Sequence, residues 1–222
     1  MSSVRATVGV AAVLGFALGA TAAFAADPAG PDWPCVQRKV AVLTSTQMWD
    51  GPNVDDLTGW RGDEEIKKLI PTLVSRRVPM EEAAAAIARF AASRPQDRRD
   101  DALKSLFAGL LTAIDSDRAV VMAGIERFQR RQRGRAAEIE RQGTAIRQLK
   151  EKAATDEKAQ AELATAQAAY DWDVRVFSER QQSLPLACDV PLQIEQRLFA
   201  LGREIRSRMN DRRGKRQNSG QP

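Results

Sequence analysis

A heptad pattern in the second half of the chain constrains its fold most strongly. From Ile125 to Leu184, positions spaced alternately by 3 and 4 residues stay in one register, and no proline interrupts the segment. Side chains at this spacing lie in one stripe along an α-helix, and such a stripe packs against another helix. The pattern therefore predicts a coiled-coil-like helix over residues 117–184.

Polar residues interrupt the stripe. They are Gln132, Arg135, Gln142, Asp156, Gln160, Gln167 and Gln181. A long homodimeric zipper is therefore poorly supported, although a homodimer stays an alternative. Large apolar residues are missing around Thr155, so a helical hairpin that turns there competes with one continuous helix. Because residues 154–163 contain no glycine or proline and keep the heptad phase, we favour the continuous helix, which would be about 90 Å long.

Either architecture projects beyond a compact globule, since a chain of this size has a radius of gyration of only about 17 Å when compact. The projecting segment carries four aliphatic seam residues, Ile139, Ile146, Leu149 and Leu163. A small bundle cannot cover so long a helix, and exposed apolar seams flanked by charge commonly mark interaction sites. We therefore expect some of this seam to be exposed unless something packs on it, and we expect these four residues to bind a protein partner.

The flanking segments also show helical spacing. Residues 63–116 predict three short helices in a small packed bundle, with the first helix bent or interrupted at Pro71. Pro185 and Pro191 bracket a predicted turn, after which residues 185–210 predict a helix that returns antiparallel along the end of the long helix. The predicted fold class is therefore all-α.

The segment before the first predicted helix has a different composition. Residues 26–62 contain four prolines and three of the four tryptophans, Trp33, Trp49 and Trp60, with little helical periodicity. This composition predicts an extended arm. Because exposed indole rings are costly in water, we expect the arm to lie along the helices with its tryptophans as anchors. A ligand-binding aromatic patch is the functional alternative.

The N-terminus indicates the compartment. One cation is followed by a charge-free run of 20 residues that ends in small residues. Residues 1–25 therefore read as a secretory signal cleaved before Ala26, with an uncleaved membrane anchor as the alternative. The composition suggests a bacterial periplasm. In that oxidising space the two cysteines, Cys35 and Cys188, predict a disulfide, which is worth about 5 kcal/mol in the chain-entropy model.

The composition lacks residues that several classes of catalytic and metal-binding sites need. The chain has no histidine, so the usual base of nucleophilic triads and the commonest metal ligand are missing. With both cysteines in a disulfide, zinc or haem sites are hard to build, and no cofactor is expected. Asp55, Asp56 and Glu64 lie near a tryptophan and are the best candidates for an acid and base pair. We favour a structural role for the neighbouring Asp63, as the N-cap of the first bundle helix.

Charge alternates along the second half of the chain. Residues 117–152 contain ten basic and five acidic side chains, whereas residues 153–195 contain three basic and eight acidic ones. These blocks can pair across a hairpin. The densest basic patch comprises Arg130, Arg131, Arg133 and Arg135. This patch and a basic tail at residues 211–222, which we expect to be disordered, also suit anionic lipid or polymer.

Three stretches resemble a known group of proteins. "DPAGPDWPCVQRKV", "LKSLFAGLL" and "VMAGIERFQRRQ" are similar to sequences in a family of secreted, largely helical proteins from alphaproteobacteria. The resemblance spans roughly the predicted mature chain and implies no activity. In its signal, size and charge the chain also resembles basic periplasmic coiled-coil chaperones more loosely.

Two classes of function fit these observations. The first is a non-enzymatic periplasmic interaction protein, such as a scaffold, accessory subunit or chaperone-like binder, whose partner is a periplasmic or envelope protein. The second is an envelope binder that uses the basic patch and tail on an anionic surface. Nucleic acid is not an expected partner of a secreted protein, and an enzyme based on Asp55, Asp56 and Glu64 ranks third.

Overall fold

The computed structural model describes residue 30 and residues 32–209. This part of the chain contains five α-helices, one short 3-10 helix and no strand, so the predicted all-α class is confirmed. The α-helices are α1 (Ser45–Met48), α2 (Glu64–Val74), α3 (Met80–Ser93), α4 (Arg99–Ala153) and α5 (Glu157–Arg208). The 3-10 helix spans Gly59–Gly62.

Helices α4 and α5 form a long antiparallel hairpin. Near its base Arg118 pairs with Glu195, and further out Arg135 pairs with Asp173. Partners therefore move back along α5 as they move forward along α4. The two helices are joined by residues 154–156, which form the tip of the hairpin.

The preference for one continuous helix is wrong, and Asp156 shows why. Its backbone is extended, with φ −134° and ψ 114°, and its carboxylate accepts a hydrogen bond of 2.9 Å from the backbone N–H of Lys158. This is the geometry of a helix N-cap. Folding back also lets the two halves of the seam cover each other, which leaves Ile146 only 5% exposed. That burial outweighs the modest helix propensity of the turn residues.

The predicted turn and returning helix at residues 185–210 are also wrong. Helix α5 continues through both Pro185 and Pro191, so this segment extends the second helix of the hairpin into the bundle. A proline inside a helix removes a backbone hydrogen bond and costs about 3 kcal/mol or more. Burial offsets this cost, because Leu198 and Leu201 beyond the prolines are completely buried.

The bundle core forms where α2 and α3 pack against the start of α4 and the end of α5. The third predicted short helix is the beginning of α4, so the predicted boundary at residue 116 does not exist. Pro71 lies inside α2 without ending it. The core is continuous through all four helices, and its most buried side chains include Ile66, Leu73, Ile87, Leu103, Phe107, Leu110, Leu198 and Ile205.

The N-terminal arm lies on the bundle as predicted, and it contains α1 and the 3-10 helix. Trp49 is 6% exposed, its ring stacks on Phe107 with 4.4 Å between centroids, and its Nε1 donates to the carbonyl of Pro52 at 2.6 Å. Trp60 packs against the same core, and Trp33 is half-buried. The aromatic rings therefore anchor the arm.

Two predicted segments lie outside the described residues, namely the signal at residues 1–25 and the basic tail at residues 211–222. Within residues 32–209, none of the helices combines the length and the apolar character that crossing a bilayer requires.

Candidate protein-binding surface

A disulfide ties the N-terminal arm to the hairpin. Cys35 and Cys188 are bonded, with 5.6 Å between their Cα atoms, so the predicted pairing is confirmed. Cys188 lies on α5 between its two prolines and is buried. The bond therefore joins the arm to the hairpin at the level where α5 leaves the bundle.

Ion pairs hold the N-terminal arm along α4. Lys39 pairs with Glu126. Closer to the N-terminus, Asp32 accepts from Arg130 at 2.9 Å and from Arg133 at 2.7 Å. The arm thus follows the outer part of α4 as far as Arg133, and exposed pairs of this kind contribute up to about 1 kcal/mol each.

The predicted basic patch is divided by these contacts. Besides the two arginines that bind Asp32, Arg135 pairs with Asp173 on α5 at 2.9 Å, and Arg131 is exposed. The patch is therefore partly neutralised within the chain. The pair between Arg135 and Asp173 also shows the basic helix facing the acidic one across the hairpin.

The aliphatic seam lies inside the hairpin. Ile146 is 5% exposed, and Ile139, Leu149 and Leu163 are half-buried. The element that packs on this seam is the second half of the chain itself, because the chain folds back and α5 covers the stripe on α4. Their assignment as partner-binding residues stays untested, and only Ile139 also reaches the groove described below.

Two glutamines of the seam donate hydrogen bonds to the opposite helix. Gln132 is 2% exposed, and its Nε2 donates to the carbonyl of Phe177 at 3.4 Å. Gln142 donates to the carboxylate of Asp173 at 2.9 Å, beside Arg135. Buried polar contacts of this type fix the register of paired helices. The polar positions that weakened the case for a homodimer therefore suit an intramolecular hairpin.

A shallow groove of about 650 Å³ lies along the distal part of the hairpin. Its half-buried lining residues are Ile139 and Gly143 of α4 and Tyr170 of α5. A Cβ atom on Gly143 would lie 3.6 Å from Cε2 of Tyr170, so the missing side chain keeps this part of the groove open. The exposed residues Ala136 and Ala137 leave the α4 side of the groove low.

Charged side chains surround this apolar floor. Arg133, Glu140 and Arg147 line the groove and are exposed. Because Arg133 is already paired with Asp32, the positive character of the groove comes from Arg147, whose described hydrogen bond goes to the neutral hydroxyl of Thr144. An apolar floor with a charged rim is the usual composition of a protein-binding site.

Sequence reasoning missed most of this groove. One signal was present, since Ala136 and Gly143 are seven residues apart and therefore share a face of α4. Tyr170 lies on the heptad stripe that begins at Ile125, but its position opposite Gly143 depends on the register of the hairpin.

The acidic segment before α2 has the predicted capping role. Asp63 accepts from the backbone N–H groups of Glu65 at 3.0 Å and Ile66 at 3.1 Å, and it pairs with Arg94 at 3.0 Å. Partial burial opposes ionisation of Asp63, but the hydrogen bonds from Ile66, Arg94 and Glu65 outweigh it and lower the pKa of Asp63. Its carboxylate is therefore committed to the helix end.

The three acids of the catalytic alternative are all exposed. Glu64 forms an ion pair with Lys67 at 2.5 Å, while Asp55 and Asp56 lie in an exposed turn of the arm. In the described part of the chain, no group of three or more acidic or cysteine side chains is arranged to hold a metal ion.

No protein-family model matches the chain, and no curated protein and no solved structure is significantly similar to it.

Proposed function

We propose that this protein binds another protein through the distal groove of its hairpin and does not catalyse a reaction. The observation that carries the proposal is the position of the groove. Beyond Arg133, the described contacts of α4 outside its own helix are made to α5. The hairpin continues from there to Ala153, about 30 Å at 1.5 Å per residue. A two-helix projection of this length presents surface and encloses no active-site cavity.

The groove suits one kind of partner. Ile139 and Tyr170 offer an apolar floor into which a partner side chain fits, and Arg147 lies where a partner carboxylate can meet it. The low wall at Ala137 admits the close approach of a helix. The partner we propose is therefore an amphipathic helix with acidic residues beside its apolar face.

The base of the molecule supports this role. The disulfide and the ion pairs of Asp32 fix the arm against the hairpin, so the distal helices extend from a rigid platform. A disulfide is expected in an oxidising compartment. Together with the N-terminal sequence, this supports the periplasm as the place where the partner is met.

Site-specific photocrosslinking in the producing cells tests the proposal. A photoreactive residue at Ala137, in the groove, is expected to crosslink to a discrete protein. The matched position is Ala161, which is also an exposed helical alanine but lies outside the groove. It is expected to give no such product. The Ala137 product should also disappear when Ala136 is replaced by Trp, which obstructs the groove without touching the core.

Two results would overturn the proposal. One is identical crosslinked products from Ala137 and Ala161, since the groove would then have no special role. The other is a catalytic activity that is lost on replacing Asp55 or Glu64.

A further inference from the structure

A second cleft, of about 290 Å³, lies at the other end of the molecule, where α2, α4 and α5 meet. Its lining is mainly aliphatic. Ile114 and Ile194 are 1% and 7% exposed, Val121 is half-buried, and Val120 is 65% exposed. The cleft therefore has a buried apolar floor and an open apolar lip. Its volume is near the lower limit for small-molecule sites.

Arg197 lies in the wall of this cleft in a fixed position. Its Nε donates to the carbonyl of Leu73 at 2.6 Å, and its Nη1 donates to the carbonyl of Val78 at 3.0 Å. The remaining nitrogen, Nη2, is buried and has no hydrogen-bond partner in the described part of the chain. Both acceptors are neutral, so the guanidinium charge is not balanced by a carboxylate there.

Basic side chains outnumber acidic ones in the lining of the cleft. Arg76 and Asp117 line it and are both exposed. Arg76 donates to the side-chain oxygen of Gln193 at 3.2 Å, which is a neutral acceptor. With Arg197, the cleft has two cations and one anion. Its electrostatic character therefore favours a negatively charged group.

We infer that this cleft binds a small amphiphilic anion, with an aliphatic body on Ile114 and Ile194 and a carboxylate at the mouth, in contact with Arg76 and attracted by the charge of Arg197 behind the wall. At roughly 30 Å³ for each non-hydrogen atom, the cleft holds about ten such atoms. A medium-chain carboxylate has this size and this division into apolar and anionic parts. The inference is independent of the protein-binding groove, which lies on the distal hairpin.

Binding of octanoate to the full, disulfide-bonded protein tests the inference by calorimetry and by methyl NMR. Octanoate is expected to bind saturably and to shift the methyl signals of Val74, Val120, Val121 and Ile194. 1-Octanol has the same chain without the charge, and it is expected to bind at least about tenfold more weakly, because it forms no charge-assisted hydrogen bond. Octylammonium is expected to bind more weakly still.

Two matched pairs of variants locate the site. Val120→Trp fills the lip of the cleft and should weaken octanoate binding at least about tenfold, whereas Val42→Trp, at an equally exposed valine on the arm, should not. Arg76→Gln should weaken binding by up to about fivefold, whereas Arg77→Gln, outside the cleft, should not. Unchanged thermal unfolding of Val120→Trp shows that the fold is intact.

Three outcomes would overturn the inference. Octanoate could fail to bind saturably. Equal affinities for octanoate and 1-octanol would refute recognition of the anion. Unchanged octanoate affinity in Val120→Trp would show that the ligand lies elsewhere.

Discussion

The ion pair between Arg118 and Glu195 gives a quantitative prediction about the base of the hairpin. Arg118 Nε donates to Glu195 at 2.5 Å, and the side-chain exposures are 3% for the arginine and 28% for the glutamate. Only one partner is therefore fully removed from water. Breaking the pair should have unequal effects, depending on which side chain is replaced.

Glu195→Leu leaves the arginine charge buried without its carboxylate. Loss of one partner from a buried ion pair costs about 3–5 kcal/mol in the free energy of unfolding. Arg118→Met leaves the glutamate instead, which already reaches water, so we expect the smaller loss of about 1–2 kcal/mol that is typical of single substitutions. The double variant removes both charges and should lie within about 1 kcal/mol of the wild type.

Urea unfolding of the four proteins, with the disulfide intact, measures these differences. The dependence of the unfolding free energy on urea concentration should be the same for all four, since the surface exposed on unfolding is nearly unchanged. Equal losses in the two single variants would refute the unequal burial of the pair. A double variant that loses the sum of the two would show that these side chains do not interact.

Four further predictions concern two glycines, the cap of α2 and the disulfide. Gly202→Ala should destabilise the protein by about 1–3 kcal/mol, since the new Cβ would lie 3.1 Å from Phe107. Gly134→Ala, where nothing lies within 4 Å, should stabilise it by about 1 kcal/mol. Asp63→Asn keeps the N-cap but removes the charge that faces Arg94, so it should lower the stability of the protein at pH 7. Because the pKa of Asp63 is lowered in the folded state, its ionised carboxylate stabilises the protein above pH about 4. Reducing the disulfide should lower stability by up to about 5 kcal/mol.

Denaturant unfolding checks each of these outcomes. A stabilising Gly202→Ala would show that Phe107 does not lie close against Gly202. For Asp63→Asn, the deficit should be present at pH 7 and shrink as pH falls below about 4; a deficit that grows toward low pH would contradict the lowered pKa. Equal stability of the reduced and oxidised proteins would show that the bond adds nothing to the ion pairs of the arm.

Local signals in the sequence predicted the features that depend on a few neighbouring residues. Asp63 before two glutamates and an apolar run is a helix start wherever the helix packs. The cysteine pair follows from the oxidising compartment suggested by the N-terminus, because two cysteines allow one bond. The tryptophans of the arm were placed correctly because a large apolar ring has to be covered.

Features that depend on packing between distant segments were left open or predicted wrongly. Residues 154–156 have adequate helix propensity, and only the cover that α5 gives to the α4 seam explains the turn there. A proline ends most helices, yet α5 continues through Pro185 and Pro191 because its far end is buried in the bundle. The sequence did contain one sign of the turn, since Asp156 followed by a glutamate is itself a helix start.

The candidate groove shows the same limit. Gly143 and Tyr170 are 27 positions apart in the sequence. Their contact requires the register of the hairpin, which is fixed by Gln132, Gln142 and Asp173. Heptad spacing indicates that two stripes pack, but it does not say which position on one stripe meets which position on the other.

The distance between the two helices tests the projecting hairpin most directly. Spin labels carried by unnatural amino acids at the exposed positions Arg131 and Arg180 leave the disulfide intact. Pulsed electron paramagnetic resonance should give a label separation below roughly 30 Å, because packed helix axes lie about 8–10 Å apart. A separation near 74 Å, expected at about 1.5 Å per residue for one continuous helix, would contradict the hairpin and the groove built on it.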